Sequence, residues 1–171
     1  MPLWRIFTII LCSVLLVCCK KGQVLHDGSG KAFSSNTFNG HYVVVNYWAS
    51  WCDSCRSEIQ YINQFYQAHK KEGVLVYGVE FTGLPPSAMQ QAAKQLDIQY
   101  PLIRENIAAK MHWGEVAYLP TTFMLDPKGH IAKKIVGPLK KDQLEQALLK
   151  LENHDQPLIA SKHMHKRKDY A

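Results

Sequence analysis

Residues 42–48 form a continuous apolar, β-branched and aromatic run broken only by Asn46. That is the pattern of a strand buried on both faces. From Cys52 to about His69, apolar residues recur at Ile59, Ile62 and Tyr66, with Phe65 beside them. This spacing of three and four predicts an amphipathic helix. A second buried strand is predicted over 74–81, stopped by Gly83-Leu84-Pro85-Pro86. Ser87 is placed to cap a second helix reaching about Leu96, with Met89, Ala92, Ala93 and Leu96 as its inner stripe. Residues 107–113 add a helical turn. Thr121–Leu125 and Ile131–Val136, separated by Asp126-Pro127-Lys128-Gly129, predict a hairpin. Asp142 is placed to cap a last helix through Leu144, Leu148 and Leu151. Ahead of these, residues 22–41 suit a linker running into an edge hairpin, with turn signals at Asp27-Gly28 and Asn39-Gly40. The order strand, helix, strand, helix, strand, strand, helix fits an α/β layered domain.

The start of the chain follows a different pattern. Residues 4–19 are apolar apart from Arg5 and a few small polar positions, and Lys20-Lys21 end the run abruptly. These are the n- and h-regions of an export signal, shorter than the ~20 residues that span a bilayer comfortably. Leu16-Val17-Cys18-Cys19 resembles the lipobox of a bacterial lipoprotein, with Cys19 as the lipid-bearing residue. That box prefers Gly, Ala or Ser where Cys18 stands, so an uncleaved anchor and a secreted product stay open. Each alternative puts the body outside the cytoplasm, where disulfides persist. The boundaries expected are 1–19 for the signal or anchor, 20–26 for a linker, 27–152 for the domain and 153–171 for a basic tail.

Length and charge narrow the class. A chain of 171 residues with 47% apolar content holds one packed domain plus short extensions. Of the net charge of +6, the first 26 residues carry +3, the body +1 and the tail +2. A nearly neutral body is a poor footprint for nucleic acid, which wants basic side chains clustered on a folded face.

Of the five cysteines, Cys12, Cys18 and Cys19 lie in the leader, which leaves Cys52 and Cys55 alone in the body. A bridge across so short a loop stabilises by only about 2 kcal/mol on the chain-entropy formula, so chemistry is its better purpose. The pair sits where the first buried strand hands over to a helix. There the unpaired N–H groups and the helix dipole favour a thiolate at Cys52. Cys55, one turn further in, is placed to resolve a mixed disulfide formed at Cys52. A zinc site would need two further ligands. Histidines of the body such as His69, His112 and His130 show no ligand spacing. We therefore expect no resident metal or cofactor.

Val44-Val45-Asn46-Tyr47-Trp48-Ala49-Ser50-Trp51-Cys52 with Cys55-Arg56-Ser57-Glu58 resembles the TlpA/ResA/DsbE branch of the thioredoxin superfamily. A second match is Leu119-Pro120-Thr121-Thr122-Phe123-Met124-Leu125-Asp126, followed by Gly129, Ile131 and Gly137. The resemblance implies a thioredoxin-like fold: a central mixed β-sheet flanked by helices, a TlpA-type insertion over 82–106 and an N-terminal edge hairpin. It also implies a cis Pro120 across from the redox pair, with Leu119 offering backbone groups to the substrate chain. Trp51, Asp53 and Ser54 surround the cysteines. The family commonly has proline at the position of Ser54. Serine restores a backbone donor and adds a hydroxyl, which favours a more oxidising disulfide, whereas Asp53 disfavours the thiolate. Glu58 reads either as a surface carboxylate or, by resemblance, as a tuner or substrate contact. Asn46 stands where thioredoxin proper carries a buried acid. Glu80 is a candidate substitute, or else a strand-end carboxylate facing solvent.

The resemblance implies a membrane-tethered protein disulfide oxidoreductase, monomeric and acting as a reductase. Its clients would be disulfide-bearing proteins, with apocytochrome c typical, and a membrane-spanning donor would recharge it. An oxidant or isomerase on the same fold is the alternative, and a Cu(I) or apocytochrome carrier a more distant one. The tail run Lys162-His163-Met164-His165-Lys166-Arg167-Lys168 reads as a solvated basic segment, with copper binding or contact with anionic lipid as the other readings.

Overall fold

The computed structural model describes residues 22–155. The expected leader, Cys19 and nearly all of the basic tail lie outside the described residues. Strands β1 (Val24–His26) and β2 (Ala32–Ser34) pair antiparallel, and a 3-10 turn follows at Ser35–Phe38. Then come β3 (Val43–Trp48), α1 (Asp53–His69), β4 (Leu75–Glu80), α2 (Pro86–Gln95) and β5 (Leu102–Ile103). Next are α3 (Ile107–Lys110), β6 (Thr121–Leu125), β7 (Ile131–Val136) and α4 (Gln143–Asp155). The five-stranded sheet runs β5-β4-β3-β6-β7. Strands β3, β4 and β5 are parallel to one another, while β6 and β7 are antiparallel to their neighbours. This is the mixed sheet flanked by helices that the resemblance implied.

Strand β3 is central and buried along its whole length, which is why its sequence shows no alternation. Successive side chains still point to opposite faces. Val43, Val45 and Tyr47 join Leu25, Phe38 and Phe123 on one side. Val44 packs on the other with Ile62 and Phe65 of α1 and Leu144 and Leu148 of α4. Asn46 therefore faces the α1–α4 layer. Tyr47 ties the first layer to the insertion, because its hydroxyl donates to Asn106 Oδ1 (3.0 Å) and accepts from Ala108 N–H (2.7 Å). Burial pushes its phenol up to about 12.

Some local expectations need correction. The folded unit begins before residue 27, since β1 pairs with β2 and Leu25 is fully buried. The hairpin is joined to the sheet edge by a bridge between Asp27 and Ile103. Helix α2 starts at Pro86 without a side-chain cap, so Ser87 lies inside it. Proline at the first helical position has the right φ and lacks an N–H that would otherwise go unpaired. Asp142 precedes α4 as expected but sits at φ 61, away from the extended geometry of a capping residue. Strand β5 has no counterpart in the sequence pattern, because two residues after a proline carry no periodic signal. Across β4, Gly78 has no room for a side chain. A Cβ there would lie 2.9 Å from Leu102 Cδ2, 3.0 Å from Tyr100 Cε2 and 3.1 Å from Trp48 Nε1.

Candidate functional site

The carboxyl end of β3 runs through Ala49, Ser50 and Trp51 to Cys52, which caps α1. Cys52 N–H donates to Ala49 C=O (3.1 Å), closing the turn that brings the sulfur to the helix start. Cys55 N–H donates to Cys52 Sγ (3.2 Å), and Ser54 Oγ lies 3.5 Å from the same sulfur. The two cysteines are joined as a disulfide. Cys55 is fully buried and Cys52 is 6% exposed, so the first sulfur is the one a partner reaches. Asp53 is exposed in the first turn of α1.

Pro120 is buried and preceded by a cis peptide bond. Tyr47 pairs with Thr121, so Leu119 and Pro120 lie at the same end of the sheet as Ala49 and Cys52. Leu119 packs against the cluster that contains Trp48, Cys52 and Cys55. The sequence motifs, sixty-odd residues apart, are thus brought together by the β3–β6 register. Trp51 (65% exposed), Tyr118 (73%) and Phe81 (39%) are large apolar side chains open to solvent on the segments that meet here. Tyr118 and Phe81 carry no sequence signal that marks them for the site. A groove lined by Phe81, Asn106, Ala108, His112 and Val116 continues from this rim.

Beneath the cysteines lies a buried polar network. Glu58 is 1% exposed, which excludes the surface reading. Its Oε1 accepts from Asn46 Nδ2 (2.7 Å) and its Oε2 from Leu139 N–H (2.7 Å). Asn46 Nδ2 also reaches Thr122 Oγ1 (3.1 Å), and Asn46 Oδ1 accepts from the Tyr100 hydroxyl (3.3 Å). Burial raises the Glu58 carboxyl from 4.5 to about 7, against the opposing pull of the Leu139 N–H and Asn46 hydrogen bonds. Burial likewise pushes the Tyr100 phenol upward, with Glu58 adding to it. Asn46, the lone polar residue of β3, is therefore the bridge that holds this carboxylate. Nothing in local sequence marks Tyr100 or the Leu139 amide as its further partners.

Glu80 is also buried (5% exposed), contrary to a solvent-facing strand end. Its carboxylate accepts from Thr82 Oγ1 (2.7 Å) and Leu84 N–H (3.0 Å). It folds the β4–α2 loop over itself, and the pair Trp48 and Glu80 puts it level with the end of β3. Of the histidines considered for metal, His69 bridges Glu72 and Glu145, His130 turns to Asp126, and His112 lines the groove.

Comparison with known proteins points the same way. A model of the AhpC/TSA family matches residues 20–134. The thiol-disulfide oxidoreductase ResA of Geobacillus kaustophilus is 30% identical over 125 residues, covering 73% of this chain and 71% of that protein. The structure of a thiol:disulfide interchange protein of the thioredoxin family from Chlorobium tepidum superposes with a TM-score of 0.65 at 26% identity. That match covers 77% of this chain and 93% of the other. StoA from Bacillus subtilis shares the fold with a TM-score of 0.61 at 24% identity, covering 74% and 95%.

Proposed function

For a chain that belongs to the AhpC/TSA family and is a thioredoxin-like thiol–disulfide oxidoreductase, we propose the role of a reductase held at the membrane, outside the cytoplasm. The carrying observation is Cys52 at the cap of α1, its sulfur facing the Cys55 amide at 3.2 Å and left as the more exposed of the pair. In the reduced protein the Cys52 thiolate attacks one sulfur of a client disulfide, and the other client sulfur leaves as a thiolate. Cys55, deprotonated, then attacks the Cys52 sulfur of the mixed disulfide and releases the second client thiolate. Two electrons pass to the client, and Cys52–Cys55 is left oxidised until a donor reduces it. The Cys55 amide stabilises the Cys52 thiolate that makes the attack, as donors to a thiolate do. Trp51, Tyr118 and the Leu119–Pro120 backbone form the surface on which a client strand lies. Glu58 holds a proton close to neutrality one turn from Cys55, suited to tuning the pair.

The apolar leader ending at Cys19 supports membrane attachment, by lipid on that cysteine or by an uncleaved anchor. Apocytochrome c is the client class that the resemblance favours, with a membrane-spanning protein as donor and the monomer as working unit. A Cβ on Gly22 would meet the side chains of Ser34 and Asn36. Gly22 shares a hollow with Lys128 and Gly129 of the β6–β7 turn, at the sheet end opposite Cys52.

The Ser54 hydroxyl near Cys52 supports a second reading, an oxidant on the same scaffold. The reduction potential separates the two: well below ~−200 mV for a reductase, about −120 mV for an oxidant. Cys52→Ser should abolish insulin reduction while leaving the fold intact. Retained turnover in that variant refutes the assignment of the nucleophile. Mass spectrometry of membrane-extracted protein should find a diacylated Cys19, and an unmodified leader speaks for the uncleaved anchor.

A further inference from the structure

The loop after β7 makes two contacts of different kinds within three residues. Gly137 N–H donates to the Pro120 carbonyl (2.9 Å), and Leu139 N–H donates to Glu58 Oε2 (2.7 Å). Pro138 stands between them, exposed, with its ring limiting the backbone. We propose that residues 137–139 are a positioning element of the exchange reaction, transmitting the ionisation state of Glu58 to the seat of Pro120 and so to client affinity. This rests on the reading of Pro120 as a client-contact residue.

The chemistry of the carboxyl sets the sign. Ionised Glu58 is an acceptor on both oxygens and holds Asn46 Nδ2 and Leu139 N–H together, and charge-assisted bonds are the stronger kind. The neutral acid carries a proton on one oxygen and holds the loop less firmly. The ionisable groups around Glu58 are Tyr100, reached through Asn46, and Cys55 one helical turn earlier. Burial keeps Tyr100 neutral across the range concerned, and Glu58 itself changes charge around pH 7. Leu139 is 4% exposed and anchored in the core with Ile62 and Leu144. A shift at its amide is therefore passed along the backbone rather than absorbed by a swinging side chain. Above neutrality the loop is taut and Pro120 is well seated. Below it the loop slackens.

Pro138→Gly keeps both N–H donors and adds slack between them. The test is insulin reduction by the full chain at pH 6, 7 and 8, comparing KM of the variant with wild type. Cysteine titration is common to both proteins and cancels in the ratio. The ratio should be near one at pH 6 and rise to about fivefold at pH 8, the worth of a charge-assisted over a neutral hydrogen bond. A ratio that stays constant with pH overturns the coupling. An independent arm needs no client. Glu58→Met removes both acceptors at nearly the same length, and amide exchange should show Gly137 and Leu139 losing protection together, each by about tenfold. Gly137 retaining wild-type protection also overturns the proposal. If Glu58→Met fails to fold, the same exchange measurement on Pro138→Gly decides, with loss of Gly137 protection expected.

Discussion

Replacing Glu58 by glutamine is the sharpest test of the buried network. Glutamine is nearly isosteric, and a flip of the Asn46 amide lets it accept from the new side-chain amide while Leu139 N–H keeps an oxygen to donate to. What changes is the charge. In the folded protein the carboxyl titrates at about 7 against its usual 4.5, because burial disfavours the ionised form. Each pH unit of that difference is worth ~1.4 kcal/mol, so the ionised carboxylate costs the fold about 3 kcal/mol. Between pH 4.5 and 7 the native state binds more protons than the unfolded chain. Stability therefore falls as pH rises through this window and stays flat above it. Glutamine has no such dependence. Chemical unfolding of the oxidised proteins at about pH 4.5 and pH 8 should show the difference between Glu58→Gln and wild type moving by about 3 kcal/mol in favour of the variant at the higher pH. The measurement is a two-state denaturant titration with circular dichroism. A difference that is the same at both pH values to within about 0.5 kcal/mol means that Glu58 titrates as an ordinary surface acid, and the tuning role goes with it.

Other expectations are more local. Gly78→Ala places a Cβ at 2.9 Å from Leu102 and 3.0 Å from Tyr100. It should cost about 1–3 kcal/mol by overpacking in the same titration, and an unaffected midpoint would mean that β4 shifts freely. Ser54→Ala removes the hydroxyl 3.5 Å from Cys52 Sγ. With ~1 kcal/mol less stabilisation of the thiolate, the potential against glutathione should become more negative by about 20 mV, and a shift the other way would exclude this hydroxyl as a donor. His69 bridges Glu72 (2.7 Å) and Glu145 (2.8 Å), joining α1 to α4. Burial works against its charge, but hydrogen bonds to both carboxylates outweigh it and hold the imidazolium above its usual 6.5. His69→Gln should therefore destabilise most below about pH 6.5, by less than about 1 kcal/mol for so exposed a pair. The loss should fade as pH rises through the folded value, and a cost independent of pH would mean that the ring acts only by packing on Phe65.

Much of the site was legible because its signals are local. A strand buried on both faces announces itself in 42–48, and Cys52 falls where the strand gives way to helical spacing. The β6–β7 hairpin was readable to the residue, since Gly129 at φ 81 closes the turn that Asp126 holds through Lys128 and His130 N–H. Glu58 and Glu80 were the positions that local sequence left open between solvent and interior. A charged residue near a helix start or a strand end is usually solvated, and nothing within a few residues of either reveals the partners that compensate its burial. Those partners, Leu139 N–H and Asn46 for one and Thr82 and Leu84 for the other, exist only once loops close.

By itself the sequence determined the elements other than β5, their order and the placement of two cysteines one turn apart at a helix start. These depend on apolar periodicity and on backbone groups within a few residues of one another. Only the tertiary structure decided that Pro120 stands beside that helix start, that Asn46 bridges Glu58 to Tyr100, and that burial raises the carboxyl three residues from Cys55 above its usual range. Hydrogen bonds and desolvation act through space, over about 3 Å, between groups that the chain separates by 12 to 81 positions. No local pattern encodes the register that brings them together.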